Sequence, residues 1–354
     1  MLKTSLLILL LLLTGVGFSV LFAKPANRQS TATEVNIGKD SVTKSSVPNI
    51  NIEYLRNLKI NSKEPDIVEE LTDGSNYKRY IASYISEGNT VFGLLTVPIE
   101  EPPKEGYSAI VFNHGYIPPN QYVTTEKYIA YVDYLARNGF VVFKIDMRGH
   151  GNSEGTPTGS YFSSGYTIDA ISALKSLQKL PYVNPQKIGM WGHSMAGNSV
   201  LRAMLVEPDI KAGVIWAGAV YSYEDFAKYR LHDSSYVRRE PNPHYDTRDL
   251  DRGLSGEISD LREKPEEVDF TNDFWAGISL TQNINYLEAP IQLHHAVNDP
   301  TVNINYSRDL VEVLKANDKT YEFYEYPGGG HNIESPYFEQ AMKRTVEFFE
   351  REFD

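Results

Sequence analysis

The 354-residue sequence contains no cysteine. That absence excludes disulfides, zinc–thiolate sites, iron–sulfur clusters, thiol nucleophiles and lipid attachment at an N-terminal cysteine. It leaves export open, because a large hydrophobic core needs no disulfide. Basic residues are also scarce: 34 Lys and Arg stand against 46 Asp and Glu, a net charge of −12. Affinity for nucleic acid comes largely from Lys and Arg on phosphates, so no nucleic-acid partner is expected. Repeats and low-complexity composition are missing too. Hydrophobic residues at 41% and charged residues at 23% describe an ordinary globular chain, long enough for one large α/β domain or two smaller ones.

Charge is missing locally at the start of the chain. After Lys3, residues 4–23 carry none, and residues 6–13 are continuously apolar. Two readings stay open. A basic start, a short apolar core and small residues at Gly17 and Ser19 suit a cleaved signal peptide. The whole uncharged stretch also matches a membrane span of about 20 residues. Residues 1–24 are therefore read as signal peptide or membrane anchor. Residues 25–48, rich in Ser, Thr, Asn, Lys and Val without apolar period, are read as a disordered linker. The product is expected to be exported: secreted, periplasmic, or membrane-anchored with its main domain outside the cytoplasm. Membrane contact is expected through residues 4–23 only.

From residue 49 onward, short apolar runs alternate with helical spacing. Residues 77–86 and 90–97 read as a hairpin around Glu87-Gly88-Asn89. Strands are expected at 109–112, 141–145, 187–191, 213–216, 291–295 and 320–326. Helices are expected at 122–138, 168–180, 195–205, 304–316 and 337–353, with Gly139 and Pro181 as stops. Such alternation predicts an α/β fold: a mostly parallel sheet with helices on both faces and an antiparallel edge from the hairpin. The alternation breaks once, at residues 221–286, which are rich in Tyr, Arg, Asp and Glu. So long an insertion exceeds a connecting loop and is read as a cap over the carboxyl ends of the strands.

The strongest local motif is Trp191-Gly192-His193-Ser194-Met195-Ala196-Gly197, where strand pattern gives way to helix. A serine on that tight turn has its Oγ exposed, and the helix start behind it favours developing negative charge. Ala196 replaces the second glycine of G-x-S-x-G and adds a single methyl group, a tolerated variant. A nucleophilic hydroxyl needs a base, and the base an orienting acid; behind such an elbow the acid and then the histidine follow in chain order. Asp299 follows strand 291–295, and His331 follows strand 320–326 in Pro327-Gly328-Gly329-Gly330-His331. Asp299 is preferred to the rival Asp309, which falls inside a helical stretch. Of eight histidines, His331 alone has the right order and a loop after the final strand. Oxyanion donors are expected from the N–H of Met195 and, in the loop Asn113-His114-Gly115-Tyr116, from the N–H of Tyr116. The Asp146–Gly155 loop lacks a P-loop lysine and is read as structural, with Asp146 and Arg148 in local hydrogen bonds. His294 and His295 point to opposite faces of a strand and cannot easily share an ion, so no metal and no cofactor are expected.

Together these motifs resemble the α/β-hydrolase superfamily, from about Asn51 to the C-terminus. Within it, residues 180–204, with Asn184-Pro185-Gln186-Lys187-Ile188-Gly189 before the elbow, look like the catalytic domain of the prolyl oligopeptidase family of serine peptidases, as does the stretch from His294 to His331. The resemblance implies a Ser194, Asp299 and His331 triad cutting peptide or related acyl bonds. Those oligopeptidases usually carry a β-propeller, for which the segment before residue 77 has no room. Three functions therefore compete. A peptidase and a carboxylesterase on small or aromatic esters would use the same residues; a non-catalytic cell-surface binding protein would use none. A small peptide or ester is the expected substrate. In the cap, Glu224, Asp225 and Glu240 could hold an amine, and Arg238 and Arg239 a carboxylate. A solvated charged face is the commoner role for such residues.

Overall fold

The computed structural model describes residues 50–229, 257, 258, 260, 261 and 264–354. All of them belong to the compact unit Ser46–Asp354; the other unit is Met1–Ser45. The expectations for residues 1–24 and 25–48 thus lie outside the described residues. No helix among the described residues is long and apolar enough to cross a membrane.

A nine-stranded sheet organises the unit, in the order β1-β2-β3-β5-β4-β6-β7-β8-β9. The strands are β1 (Asp66–Leu71), β2 (Tyr77–Ser86), β3 (Asn89–Pro98), β4 (Tyr107–Asn113), β5 (Val141–Ile145), β6 (Val183–His193), β7 (Gly213–Trp216), β8 (Ile291–Ala296) and β9 (Tyr321–Tyr326). From β5 to β9 every neighbouring pair is parallel. The hairpin forms the expected antiparallel edge, with β2 and β3 paired from Tyr77↔Pro98 to Ser86↔Asn89. Glu87 and Gly88 make the turn with the left-handed backbone it needs, at φ 46° and +82°. Outside the hairpin lies β1, which the sequence pattern did not announce. Asp66 to Glu70 are exposed and nothing alternates, so no buried face was there to read.

Period-two alternation sends side chains to two separate cores. Ala109, Val111, Val141 and Phe143 face one cluster; Ile110, Phe112 and Val142 face the other. The first cluster is covered by α1 (Ile52–Arg56), α3 (Gly165–Leu177), α4 (Met195–Val206) and α7 (Asn305–Ala316). The second is covered by α2 (Ile129–Arg137) and α8 (Phe338–Phe353). In α8, Ala341, Met342, Val346, Phe349 and Phe353 form the buried stripe. Each large member contributes about 1.5–3 kcal/mol by leaving water.

The helix expected at 122–138 begins only at Ile129. Residues 122–128 are instead loop, because their polar groups turn inward. The Tyr122 hydroxyl donates to Asp146 Oδ1 (2.7 Å), Thr124 Oγ1 donates to Asp146 Oδ2 (2.5 Å), and Lys144 Nζ donates to the Lys127 carbonyl (3.1 Å). The helix stops, as expected, before Gly139, whose φ of +86° a side-chain-bearing residue would resist.

Of the insertion at 221–286, residues 221–229 and 264–286 are described in full, and they hold helical turns: α5 (Glu224–Tyr229) and α6 (Asp273–Ile278). Asn272 caps α6 by accepting the Trp275 N–H (3.1 Å). Tyr223 packs against Trp275 (ring centroids 5.0 Å) and Phe162 (5.6 Å). Arg202 of α4, fully buried, donates to the carbonyls of Ile50 (3.0 Å) and Ile278 (3.1 Å), tying the domain's first residues and α6 to the elbow helix.

Candidate active site

The serine turn sits at the carboxyl end of β6, in the middle of the sheet. Ser194 has φ 55° and ψ −121°, a conformation that side-chain-bearing residues rarely adopt. Holding a non-glycine residue there costs about 1–3 kcal/mol, so surrounding contacts must fix it. Two hydrogen bonds do: Ser194 N–H donates to the Trp216 carbonyl of β7 (2.9 Å), and Gly197 N–H donates to the Ser194 carbonyl (2.9 Å). Two glycines let the chain turn so tightly. A Cβ on Gly192 would stand 2.7 Å from Val200 Cγ2, and one on Gly197 would stand 2.8 Å from both Gly218 Cα and Ile215 Cγ2. Ala196, in the position of the motif's second glycine, is fully buried and accommodated.

Asp299 and His331, 32 residues apart in the chain, meet at the ends of β8 and β9. Asp299 Oδ2 accepts from His331 Nδ1 at 2.8 Å. Its Oδ1 accepts the N–H groups of Thr301 (2.8 Å) and Val302 (2.9 Å), which orient the carboxylate. A second imidazole also reaches it: His295 Nε2 lies 3.2 Å from Oδ2, while its Nδ1 meets Ser307 Oγ (2.8 Å). Burial opposes ionisation of Asp299, but the hydrogen bonds from His295 and His331 outweigh it and hold the carboxyl below its ordinary range. Asp299 is thus a charged acceptor that fixes His331 by one nitrogen and leaves Nε2 available. Between Ser194 Oγ and His331 the structure has no hydrogen bond; such contacts often close only when substrate is bound. The two are linked through His193, whose ring centroid is 4.5 Å from that of His331.

The third expected element, the loop after β4, packs directly on the serine turn. A Cβ on Gly115 would meet His193 Nδ1 at 3.1 Å and the His193 carbonyl at 3.2 Å. Gly115 N–H donates to Tyr128 Oη (2.9 Å). Tyr116 follows with its side chain 51% exposed, and Met195 opens α4. At a helix start the first N–H groups lack intrahelical partners and suit a developing anion.

The remaining candidates fall elsewhere. Asp309 lies on α7 and accepts from Lys228 Nζ (2.5 Å) and the Tyr229 hydroxyl, with no contact to His331. Arg148 pairs with Asp169 (2.7 Å) and Glu87 (2.9 Å), so the glycine-rich loop is structural as expected. His294 and His295 do face opposite ways, His294 toward Tyr326 Oη (2.8 Å) and His295 toward Ser307. In the cap, Glu224 is exposed, while Asp225 is buried and accepts the N–H groups of Tyr221 (3.2 Å) and Ser222 (3.1 Å); burial pushes its carboxyl up to about 7. Arg238, Arg239 and Glu240, with His232 and His244, lie outside the described residues. A cavity of 430 Å³ lined by Gly106, Tyr107, Asn138 and Lys187 opens at the amino end of β4, away from this chemistry. Three residues of the site had not been singled out for it: His295 on the acid, and Tyr128 and His193 between the loops. Neither His295 nor Tyr128 carries a local signal for the site, since His295 lies near the end of a strand, Asp299 lies in the turn after it, and the fold alone brings them together.

Residues 105–335 match the family model described as serine aminopeptidase, S33 (Hydrolase_4). An uncharacterized peptidase of Bacillus subtilis, YtmA, is 28% identical over 275 residues, covering 75% of this chain and 89% of that protein. A probable dipeptidyl-aminopeptidase B of Metarhizium robertsii is 25% identical over 81% of this chain, which spans only 29% of that relative's length. Among solved structures, acetyl xylan esterase 1 from Thermoanaerobacterium aligns with a TM-score of 0.58 at 14% identity, covering 84% of this chain and 90% of that one. Acylaminoacyl peptidase from Pyrococcus horikoshii aligns with a TM-score of 0.59 at 21% identity, covering 78% and 42%. At such identities the structural likeness speaks for the fold.

Proposed function

The chain belongs to the serine aminopeptidase S33 family of α/β-hydrolases and is a serine hydrolase, and we propose that it cleaves acyl bonds of small peptides through an acyl-enzyme on Ser194. The observation that carries this reading is the buried Asp299 carboxylate holding His331 Nδ1 at 2.8 Å beside the strained serine turn.

In the first half-reaction His331 Nε2 takes the proton of Ser194 as Oγ attacks the substrate carbonyl. Asp299 accepts the Nδ1–H and stabilises the imidazolium. The tetrahedral oxyanion receives the N–H groups of Met195 and Tyr116. Collapse breaks the C–N bond, and His331 Nε2–H delivers its proton to the leaving amine. Water then repeats the sequence on the ester of Ser194, releasing the acid. The same groups serve an ester substrate, where the leaving alkoxide is easier to expel.

The test sets short-chain nitrophenyl esters beside aminoacyl- and prolyl-anilides, with a Ser194→Ala control. Anilide turnover that vanishes in the control is the expected result. Turnover of esters alone redirects the reading to a carboxylesterase. Turnover that survives Ser194→Ala overturns the nucleophile assignment.

A further inference from the structure

We propose that Tyr128 and His193 are positioning residues that tie the loop after β4, the serine turn and the His331 loop into one hydrogen-bonded frame, leaving the Tyr116 N–H as the free donor toward the substrate oxygen. The inference rests on the roles assigned above to Ser194 and Tyr116.

Three bonds run in series. Gly115 N–H donates to Tyr128 Oη (2.9 Å), Tyr128 Oη meets His193 Nδ1 (2.7 Å), and His193 Nε2 meets the His331 carbonyl (2.9 Å). Their proton positions follow from the ends inward. A carbonyl only accepts, so His193 Nε2 carries the proton. The amide only donates, so Tyr128 Oη accepts from it and sends its own proton to Nδ1, which is left bare. Every group is satisfied in one arrangement, and reversing any bond breaks the next. Burial, with the neighbouring His331 charge, pushes His193 down to about 3, so the ring remains neutral and does not compete as a base. Burial likewise pushes the Tyr128 phenol upward and keeps its proton in place.

The surroundings are shaped for this frame. A Cβ on Gly115 would stand 2.8 Å from Tyr128 Oη, so glycine is what lets the loop reach the phenol. Tyr128 itself sits in a left-handed conformation, φ 61°, at the start of α2. One helical turn later, Tyr131 Oη donates to the Asn332 carbonyl (2.8 Å), bracing the His331 loop from the same helix. The Gly115 N–H, which could otherwise turn toward solvent or substrate, is occupied. The next amide, Tyr116, is the one without a partner in the frame.

The experiment is Tyr128→Phe in the full chain, with kcat and KM on a nitrophenyl ester and the affinity of a trifluoromethyl ketone, whose adduct with serine carries an oxyanion. Removing a direct oxyanion donor costs about 100- to 1,000-fold in rate, so displacing one is expected to lower kcat about 10- to 100-fold. KM should change less than about twofold, and ketone affinity should fall by the same factor as kcat/KM. Tyr77→Phe loses a phenol that donates to Asp133 of the same helix (2.8 Å) without touching Gly115 or the His331 loop, and it calibrates the cost of a lost hydroxyl alone. A Tyr128→Phe enzyme no more impaired in kcat and ketone binding than Tyr77→Phe would overturn the proposal. Ser194→Ala separates the failures. Turnover surviving there defeats the Ser194 reading, whereas an inactive Ser194→Ala beside an unimpaired Tyr128→Phe defeats the positioning role only.

Discussion

Replacing Asp299 with asparagine tests how the acid acts. The side chain is fully buried, and its two oxygens have different tasks: Oδ1 takes the Thr301 and Val302 N–H groups, and Oδ2 takes His331 Nδ1. An asparagine keeps the shape. The backbone N–H groups of Thr301 and Val302 keep its oxygen where Oδ1 was, which turns its NH₂ toward His331 Nδ1. That nitrogen must then accept, its proton moves to Nε2, and Nε2 can no longer take the Ser194 proton. A wrong-tautomer histidine costs about 10⁴ in kcat in a serine protease, about 5 kcal/mol of transition-state stabilisation, and the same loss is expected here. Stability should fall by about 1.5–3 kcal/mol, the worth of a hydrogen bond to a charged group. The pH dependence has a definite sign. The folded carboxyl is held below its ordinary value of 3.8, so its stabilisation is complete above that value and is lost as the pH falls below it. The gap between wild type and Asp299→Asn should therefore narrow in acid. Ester turnover and urea unfolding between pH 3 and 7 measure both effects. A folded variant within about tenfold of wild-type kcat would refute the tautomer argument.

Two further outcomes follow from strain and burial. Ser194→Gly should abolish turnover yet raise unfolding stability by about 1 kcal/mol, since the turn's φ of 55° suits glycine; an unchanged or lower urea midpoint would count against strain at this residue. Lys144 is fully buried, and burial lowers its pKa from 10.5 to about 8. The unfolded chain binds the extra proton between those values, so wild type should gain stability relative to Lys144→Met as pH rises from 8 to 10.5, readable as the difference between their melting temperatures.

Much of this architecture was legible in the residues, and the exceptions have physical causes. β5 and β7 appear at the bounds the apolar runs indicated, because central strands buried on both faces leave a near-continuous apolar signature, broken only by Lys144 in β5. The run from Tyr122 carried helical spacing but not a helical role. Its polar groups serve Asp146 and Lys144, partners set by the fold rather than by the neighbouring sequence. The serine turn was legible because glycine at 192 and 197 answers a steric demand visible locally. Asp299 and His331 were legible through chain order, and their 2.8 Å contact is what the fold supplies. Tyr128 left no mark, since a tyrosine at a helix start is an ordinary core residue until the strand on the far side of the loop is known to present His193.

The outermost strand has a consequence for how the molecules meet one another. Among the described residues β1 has a neighbouring strand on one side only, and it exposes Ile67 (50%) and Val68 (56%), the makings of a template onto which another copy's strand could add. Asp66, Glu69 and Glu70 share that strand. At neutral pH two copies approaching edge to edge would bring like charges together before their backbones could pair. Asp66 and Glu69 thus act as gatekeepers against stacking, while Glu70 stands 3.9 Å from Lys78 of the neighbouring strand.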